Sequence, residues 1–264
     1  MKLKVLGVIT ARGGSKSIPQ KNIKLMLGKP LLAHTIEAAK KSGVFDRLII
    51  STDDERIAEV AREYGCEVPF IRPAELAQDD TPHLPVMQHA VAWLRDNQNY
   101  LPDYVMILQP TSPLRQHFHI RESVELAGSS KADSVVGVAK LPEQFNPNRS
   151  LFVADGEGFL KLFSGRPLYE RHYQRQLASD TYLNNASIYL FKPDLLFDEE
   201  NPNLFGEKTL PYVMDEKYSV DINTEEDWLA AERKLKQILE ETNNSGLTGL
   251  SQVRGETEDS ARPA

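Results

Sequence analysis

Apolar and polar positions follow one another in two rhythms along this chain. Val5 to Thr10 is a continuous apolar run, the pattern of a strand buried on both faces. Beyond a polar loop, Leu31, Leu32, Ile36 and Ala39 recur at helical spacing, with Pro30 suited to the first turn and Gly43 to the C-terminal cap. Arg47 to Thr52 reads as a second strand. Asp53 or Asp54 then caps a helix whose apolar face is Ile57, Val60, Ala61 and Tyr64, ended by Gly65. Cys66 to Ile71 reads as a third strand. This β-α-β-α-β order predicts an α/β fold, a mainly parallel sheet with helices on both faces, because parallel neighbours need crossover connections.

The alternation continues. Leu84, Met87, Val91 and Leu94 form one side of a helix, and Tyr104 to Leu108 is an apolar central strand. A helix from about His117 to Ala127 and a strand from Asp133 to Ala139 follow. Between about residues 140 and 180 the pattern breaks into an excursion, with two apolar runs around Asp155-Gly156-Glu157-Gly158 that signal an antiparallel hairpin. Asn185 to Tyr189 begins another strand, and Tyr218 to Ile222 reads as the last one. Thr224 caps a helix with Trp228, Ala231, Leu235 and Ile238 on its apolar side. Past Thr242 the chain is Gly, Ser, Asn and charge without aromatics. The expectation is one domain over 1–242 and a disordered tail over 243–264.

Composition narrows the classes of function. A chain of 264 residues buries a large core without disulfides or metal, and Cys66 has no internal partner, which fits a reducing, cytoplasmic setting. Met1 to Val8, with two lysines leading into a short strand, reads as neither a secretory signal nor a membrane span. A net charge of −7 argues against nucleic-acid and membrane partners. His117 and His119 stand two apart, without the HExxH spacing of a zinc helix.

Against that acidic background, residues 11 to 22 (Ala-Arg-Gly-Gly-Ser-Lys-Ser-Ile-Pro-Gln-Lys-Asn) are a local exception. They join the first strand to the first helix. Gly13 and Gly14 let backbone N–H groups approach a ligand, and Arg12, Lys16 and Lys21 add cations that repel one another without an anion. The loop is neither a Walker A motif nor a Gly-x-Gly-x-x-Gly fingerprint. A phosphate chain is its natural guest, the other reading being a solvated loop.

The central strand runs into Gln109-Pro-Thr-Ser-Pro-Leu-Arg115, a rigid polar turn at the carboxyl edge where open α/β sheets place ligand contacts. Arg166, Arg171 and Arg175 either form a solvated face or meet a carboxylate bidentately. Asp221 closes the list. Facing a phosphate loop, it would repel the ligand unless Mg²⁺ lay between, and the alternative is a helix-entry acid.

Five segments in register resemble the acylneuraminate cytidylyltransferases, the CMP-sialic acid synthetases, over about residues 4 to 240. They are Ala11 to Lys16 with Lys21-Asn22, Arg72-Pro-Ala-Glu-Leu-Ala77, Gln109 to Arg115, Asn185-Ala-Ser-Ile-Tyr189 and Ser219-Val-Asp-Ile-Asn-Thr224. The resemblance implies a Rossmann-like nucleotidyltransferase fold with a small antiparallel dimerisation excursion. It implies a homodimer that joins CTP to a nonulosonic acid, with Mg²⁺, giving the CMP-sugar and pyrophosphate. On that basis Arg12, Lys21 and Asp221 are catalytic. Arg12, Gly13, Gly14, Ser15, Lys16, Lys21, Asn22, Arg72 and His83 bind nucleotide, and Gln109, Arg175 and Asn185 bind sugar. Asp221 and Asn223 hold metal.

Three positions depart from the family pattern. Asn223 stands where the second acid of Asp-x-Asp is common, His83 where serine is frequent, and Asn185-Ala-Ser where Asn-Gly-Ala is usual. A Kdo-type cytidylyltransferase, a non-catalytic nucleotide-sugar-binding protein and a glycosyltransferase are the competing readings.

Overall fold

The computed structural model describes residues 3–147, 151–170 and 180–255, with side chains described to residue 242. Six strands form the main sheet: β1 (Val5–Thr10), β4 (Arg47–Ser51), β5 (Tyr104–Leu108), β6 (Ser134–Lys140), β9 (Tyr182–Phe191) and β10 (Thr209–Met214). Their order across the sheet is β10-β6-β9-β5-β1-β4. All neighbours are parallel except β9, which runs antiparallel to both β5 and β6. The mainly parallel α/β expectation is therefore met.

The helices cover both faces. On one, α1 (Leu31–Ser42), α2 (Glu55–Glu63) and α4 (His117–Ser130) bury Leu32, Ile36, Ile57, Ala61, Ile120 and Val124 against the sheet. On the other, α3 (His83–Gln98) buries Val86, Met87, Val91 and Leu94 against Leu6, Val8, Val105 and Ile107. Fully burying side chains of this size contributes roughly 1.5–3 kcal/mol each. Gly43 ends α1 at φ 68°, in the left-handed region that glycine enters without penalty.

A third cluster lies directly beneath the loops at the carboxyl edge. Ile18, Met26, Leu31, Leu114, Ile222, Trp228 and Leu235 are buried together there. Met26 belongs to the short ribbon β2 (Leu25–Met26) and β3 (Lys29–Pro30), and Trp228 and Leu235 to α5 (Glu225–Gly255). Three segments that are distant in sequence are thus clamped by one apolar plug.

Two expected strands do not form. Cys66 to Ile71 contributes a single bridge, Ile49 with Glu67, because Pro69 has no N–H to extend a ladder. Tyr218 to Ile222 is a short 3-10 turn (Glu216–Tyr218) followed by a loop, capped where the Asp215 carboxylate accepts from the Lys217 N–H at 2.9 Å. The strand in this region is β10 instead, whose Pro211 is tolerated at the sheet edge.

The excursion folds as expected into an antiparallel hairpin, β7 (Phe152–Ala154) with β8 (Leu160–Leu162). Leu162 is buried, while Phe159 and Phe163 are 66% and 61% exposed. Helical backbone in α5 continues to Gly255, past the point where the apolar stripe ends. Among the described residues no helix is long and apolar enough to cross a membrane.

Candidate active site

A cleft of about 350 Å³ opens at the carboxyl edge of the sheet. Its walls are Thr10, Arg12, Ser15, Lys16, Ser17, Lys21, Asn22, Arg72, Gln109, Pro110, Thr111 and Asn223. Eight of these were expected from sequence: Arg12, Ser15, Lys16, Lys21, Asn22, Arg72, Gln109 and Asn223.

Three of them, Asn22, Arg72 and Lys21, are held by interactions that tie the cleft walls together. The Asn22 amide donates to the Arg12 carbonyl at 2.9 Å, so it braces the basic loop across its own span. Arg72 is buried, with its Nε donating to the Ser51 hydroxyl at 2.9 Å, and burial pushes its guanidinium down to about 10. It ties the cleft wall to the end of β4. Lys21 donates to the Ile222 carbonyl at 2.8 Å. Burial holds its ammonium below the ordinary lysine value, while nearby Asp221 acts in the opposite direction.

The two glycines behave differently from the expectation. Gly13 donates its N–H to Asp53 Oδ1 at 2.9 Å, and a Cβ on it would lie 2.8 Å from Asp54 Oδ2. Its smallness serves the approach of the loop to the start of α2, so its amide is not offered to a ligand. Gly14 has open space where a Cβ would sit and is not among the cleft walls.

Asn185 is corrected in the same way. It is 4% exposed, donates to Ser219 Oγ at 3.0 Å and accepts from the Ser187 N–H at 3.1 Å. Those bonds fasten the loop before Asp221 to β9, leaving the side chain no face toward a sugar. Arg115 is likewise structural: buried, it donates to the Ser187 carbonyl at 2.8 Å and to Thr35 Oγ1 at 3.0 Å, and burial pushes it down to about 9. Arg175 lies outside the described residues.

His83 begins α3 and faces the ring of Tyr189, with centroids 6.4 Å apart, beside the cleft rather than lining it. Burial, then Arg72, lowers its pKa, so the imidazole is neutral near pH 7. Tyr189, whose hydroxyl bonds to the exposed Asn184, was not anticipated, since an aromatic in a strand reads as core. Asp79 was also missed. It pairs with Arg12 at 2.6 Å and with Lys16.

Asp221 lies next to the cleft. Asn223 Nδ2 donates to its Oδ2 at 2.9 Å, whereas its Oδ1 is shut from solvent without a hydrogen-bond partner. An orphaned carboxylate oxygen beside a basic cleft fits a divalent cation shared with phosphate, which needs few protein ligands. The nitrogen of Asn223 faces Asp221, so this residue orients the carboxylate in the conformation described. Among the described residues no cluster of three or more His, Cys, Asp or Glu could hold a metal unaided. Asp227 completes the loop by accepting from the N–H groups of Asn223 and Thr224 at 3.0 and 2.8 Å.

A doubly covered, mainly parallel sheet with a cationic cleft at its carboxyl edge and a carboxylate alongside is suited to holding a nucleotide's phosphates, as a nucleotidyltransferase must. The chain belongs to the cytidylyltransferase family, whose model matches residues 6–238. It is 34% identical to a CMP-N,N'-diacetyllegionaminic acid synthase of Legionella pneumophila, over 89% of this chain and 97% of the other. It is 32% identical to a pseudaminic acid cytidylyltransferase of Campylobacter jejuni, over 85% and 93%. Identity to an N-acylneuraminate cytidylyltransferase of Escherichia coli is 33%, over 86% of this chain and 51% of that longer one. Among solved structures, a CMP:2-keto-3-deoxy-manno-octonic acid synthetase complexed with CTP aligns with TM-score 0.62 at 17% identity, covering 89% and 99%. At that identity the likeness speaks for the fold alone.

Proposed function

We propose that this enzyme transfers the cytidylyl group of CTP to the anomeric hydroxyl of a nonulosonic, sialic-type acid, giving the CMP-sugar and pyrophosphate. The observation that carries the reading is the convergence of Arg12, Lys16, Lys21 and Arg72 on one cleft of an acidic chain, with Gln109 among its walls. Relatives named for legionaminic, pseudaminic and acylneuraminic substrates favour that acid class over a Kdo-type one.

In-line attack on the α-phosphorus asks the protein for positioning and charge neutralisation more than for covalent chemistry. Arg12, Lys16 and Lys21 neutralise the phosphate chain, and Thr10, Ser15 and Ser17 offer hydroxyls beside them. Gln109, a wall of the same cleft, would meet the acceptor, with the Tyr189–His83 pair close by. Asp221 would hold Mg²⁺ through its free Oδ1, and the ion when bound would stabilise charge on the phosphates and the departing pyrophosphate.

A homodimer fits the excursion: Phe152, Phe159, Leu160 and Phe163 all stand exposed on one hairpin, an apolar surface suited to a second copy. We place the reaction in the cytoplasm, where CTP is made. A thiol such as Cys66, pushed up to about 12 by burial, would be inert there.

The test is incubation with Mg²⁺, CTP and a panel of nonulosonic acids including Kdo, with pyrophosphate measured. Release with a legionaminic, pseudaminic or neuraminic acid supports the proposal. Release with none rejects it, and tight CTP binding without turnover would point to a non-catalytic binding protein.

A further inference from the structure

Arg12 and Lys16 line the cleft, yet both are engaged by one side chain that lies outside its walls. Arg12 Nη1 meets Asp79 Oδ1 at 2.6 Å, and Lys16 Nζ meets Asp79 Oδ2. Each oxygen of the carboxylate takes one cation, as two oxygens of a phosphate would. Asp79 stands in the turn between a 3-10 helix (Ala74–Leu76) and α3, a stretch whose near end is fixed by the buried Arg72. In that turn Gln78 Nε2 donates to the Ala74 carbonyl at 2.7 Å, and the Thr81 N–H donates to the Gln78 carbonyl at 3.3 Å.

Resting on the nucleotide reading above, we infer that Asp79 is a specificity-determining residue of this cleft: its carboxylate holds the Arg12 and Lys16 seat that a polyphosphate must take. A ligand with a phosphate chain enters that seat by displacing Asp79. A ligand without phosphate has no need of it.

The exposure of the three groups makes the exchange feasible. The side chains of Arg12, Lys16 and Asp79 are 33%, 82% and 43% exposed. Ion pairs in such surroundings are weak and screened by salt, so they hold the seat without locking it. A triphosphate brings several negative charges where Asp79 brings one, and it wins the exchange. Pyrophosphate, once formed, faces the same carboxylate as a competitor and leaves more readily. Asp79 therefore weakens polyphosphate binding selectively and acts without touching the reacting atoms.

Calorimetric titration of the full-length protein in EDTA tests this, using CTP, inorganic pyrophosphate and cytidine as separate probes. Asp79→Asn should bind CTP and pyrophosphate about fivefold more tightly than wild type, with the gain shrinking in ~0.5 M salt. Cytidine affinity should not change, and Asp79→Glu should retain the wild-type values. Asp79 is a surface position, and an unshifted melting temperature checks that the variant is folded. If wild type binds CTP and Asp79→Asn binds it equally or less tightly, the inference falls while the nucleotide reading stands. If neither protein binds CTP or pyrophosphate, the nucleotide reading falls and takes the inference with it.

Discussion

The ammonium of Lys21 donates to the main-chain carbonyl of Ile222 at 2.8 Å, joining two loops that are 201 residues apart in sequence. Ile222 is itself buried with Ile18 and Leu114, so the basic loop, the Gln109 to Arg115 turn and the Asp221 loop share one apolar anchor. The loops that carry Lys21 and Asp221 are thereby tied to the same buried cluster.

Lys21→Met keeps the aliphatic stem and removes the charge. It should lower kcat/KM by about a hundredfold or more, because a fixed cation beside the phosphates is lost from a partly desolvated site. The melting temperature should move little. Near-wild-type steady-state kinetics would remove Lys21 from the catalytic set.

Asn223→Asp replaces a donor to Asp221 Oδ2 with a second carboxylate at the same short range. Two anions there repel one another, so the variant should melt lower in EDTA and recover with millimolar Mg²⁺. Asp221→Asn should in turn cost roughly a hundredfold in turnover with the fold intact. Thermal melts with and without Mg²⁺ read the first effect, and metal-insensitive melts would place residue 223 outside the metal's reach.

Acid should weaken the fold through His119. Its Nδ1 accepts from the Gln116 N–H at 3.0 Å, and burial, followed by Arg115, pushes its pKa down to about 4. With a folded value below the unfolded one of 6.5, the unfolded chain takes up a proton first as pH falls. The contribution of neutral His119 is present above pH 6.5 and is lost on acidification toward 4, on the order of 1–3 kcal/mol. Urea titrations between those pH values should show the slope, and His119→Gln should flatten it.

Ala186 adopts φ 57°, in the left-handed region, at the position where the family pattern has glycine. Ala186→Gly should relieve that strain and stabilise the protein by about 0.5–1 kcal/mol, a rise of a few degrees in melting temperature. An unchanged or lower melt would show that the backbone carries no strain there.

Long periodic segments were readable because each buries a face: α1, α2, α3, α4, β1 and β5 follow directly from apolar spacing. The Cys66 to Ile71 strand was not, since alternation cannot report that Pro69 ends the ladder after one rung. β10 was hidden by Pro211, which is allowed only because the strand lies on an edge, a fact of topology. The same limit divides the site. Charges beside glycines drew attention to Arg12, Lys16 and Lys21, but sequence could not tell an amide facing a ligand from one facing Asp53. Nor could it separate Asn185, closed into a structural network, from Asn184 next to it. Asp79 was invisible because its role depends wholly on which cations it meets in space.

Phosphorus NMR of the protein with CTP, Mg²⁺ and a nonulosonic acid addresses the catalytic proposal at the reacting atom. The three CTP resonances should give way to one phosphodiester signal and one pyrophosphate signal of twice its intensity, since pyrophosphate carries two equivalent phosphorus atoms, and omitting the acid should leave CTP intact. Conversion to CDP and inorganic phosphate, or unchanged CTP with every acid, would contradict cytidylyl transfer.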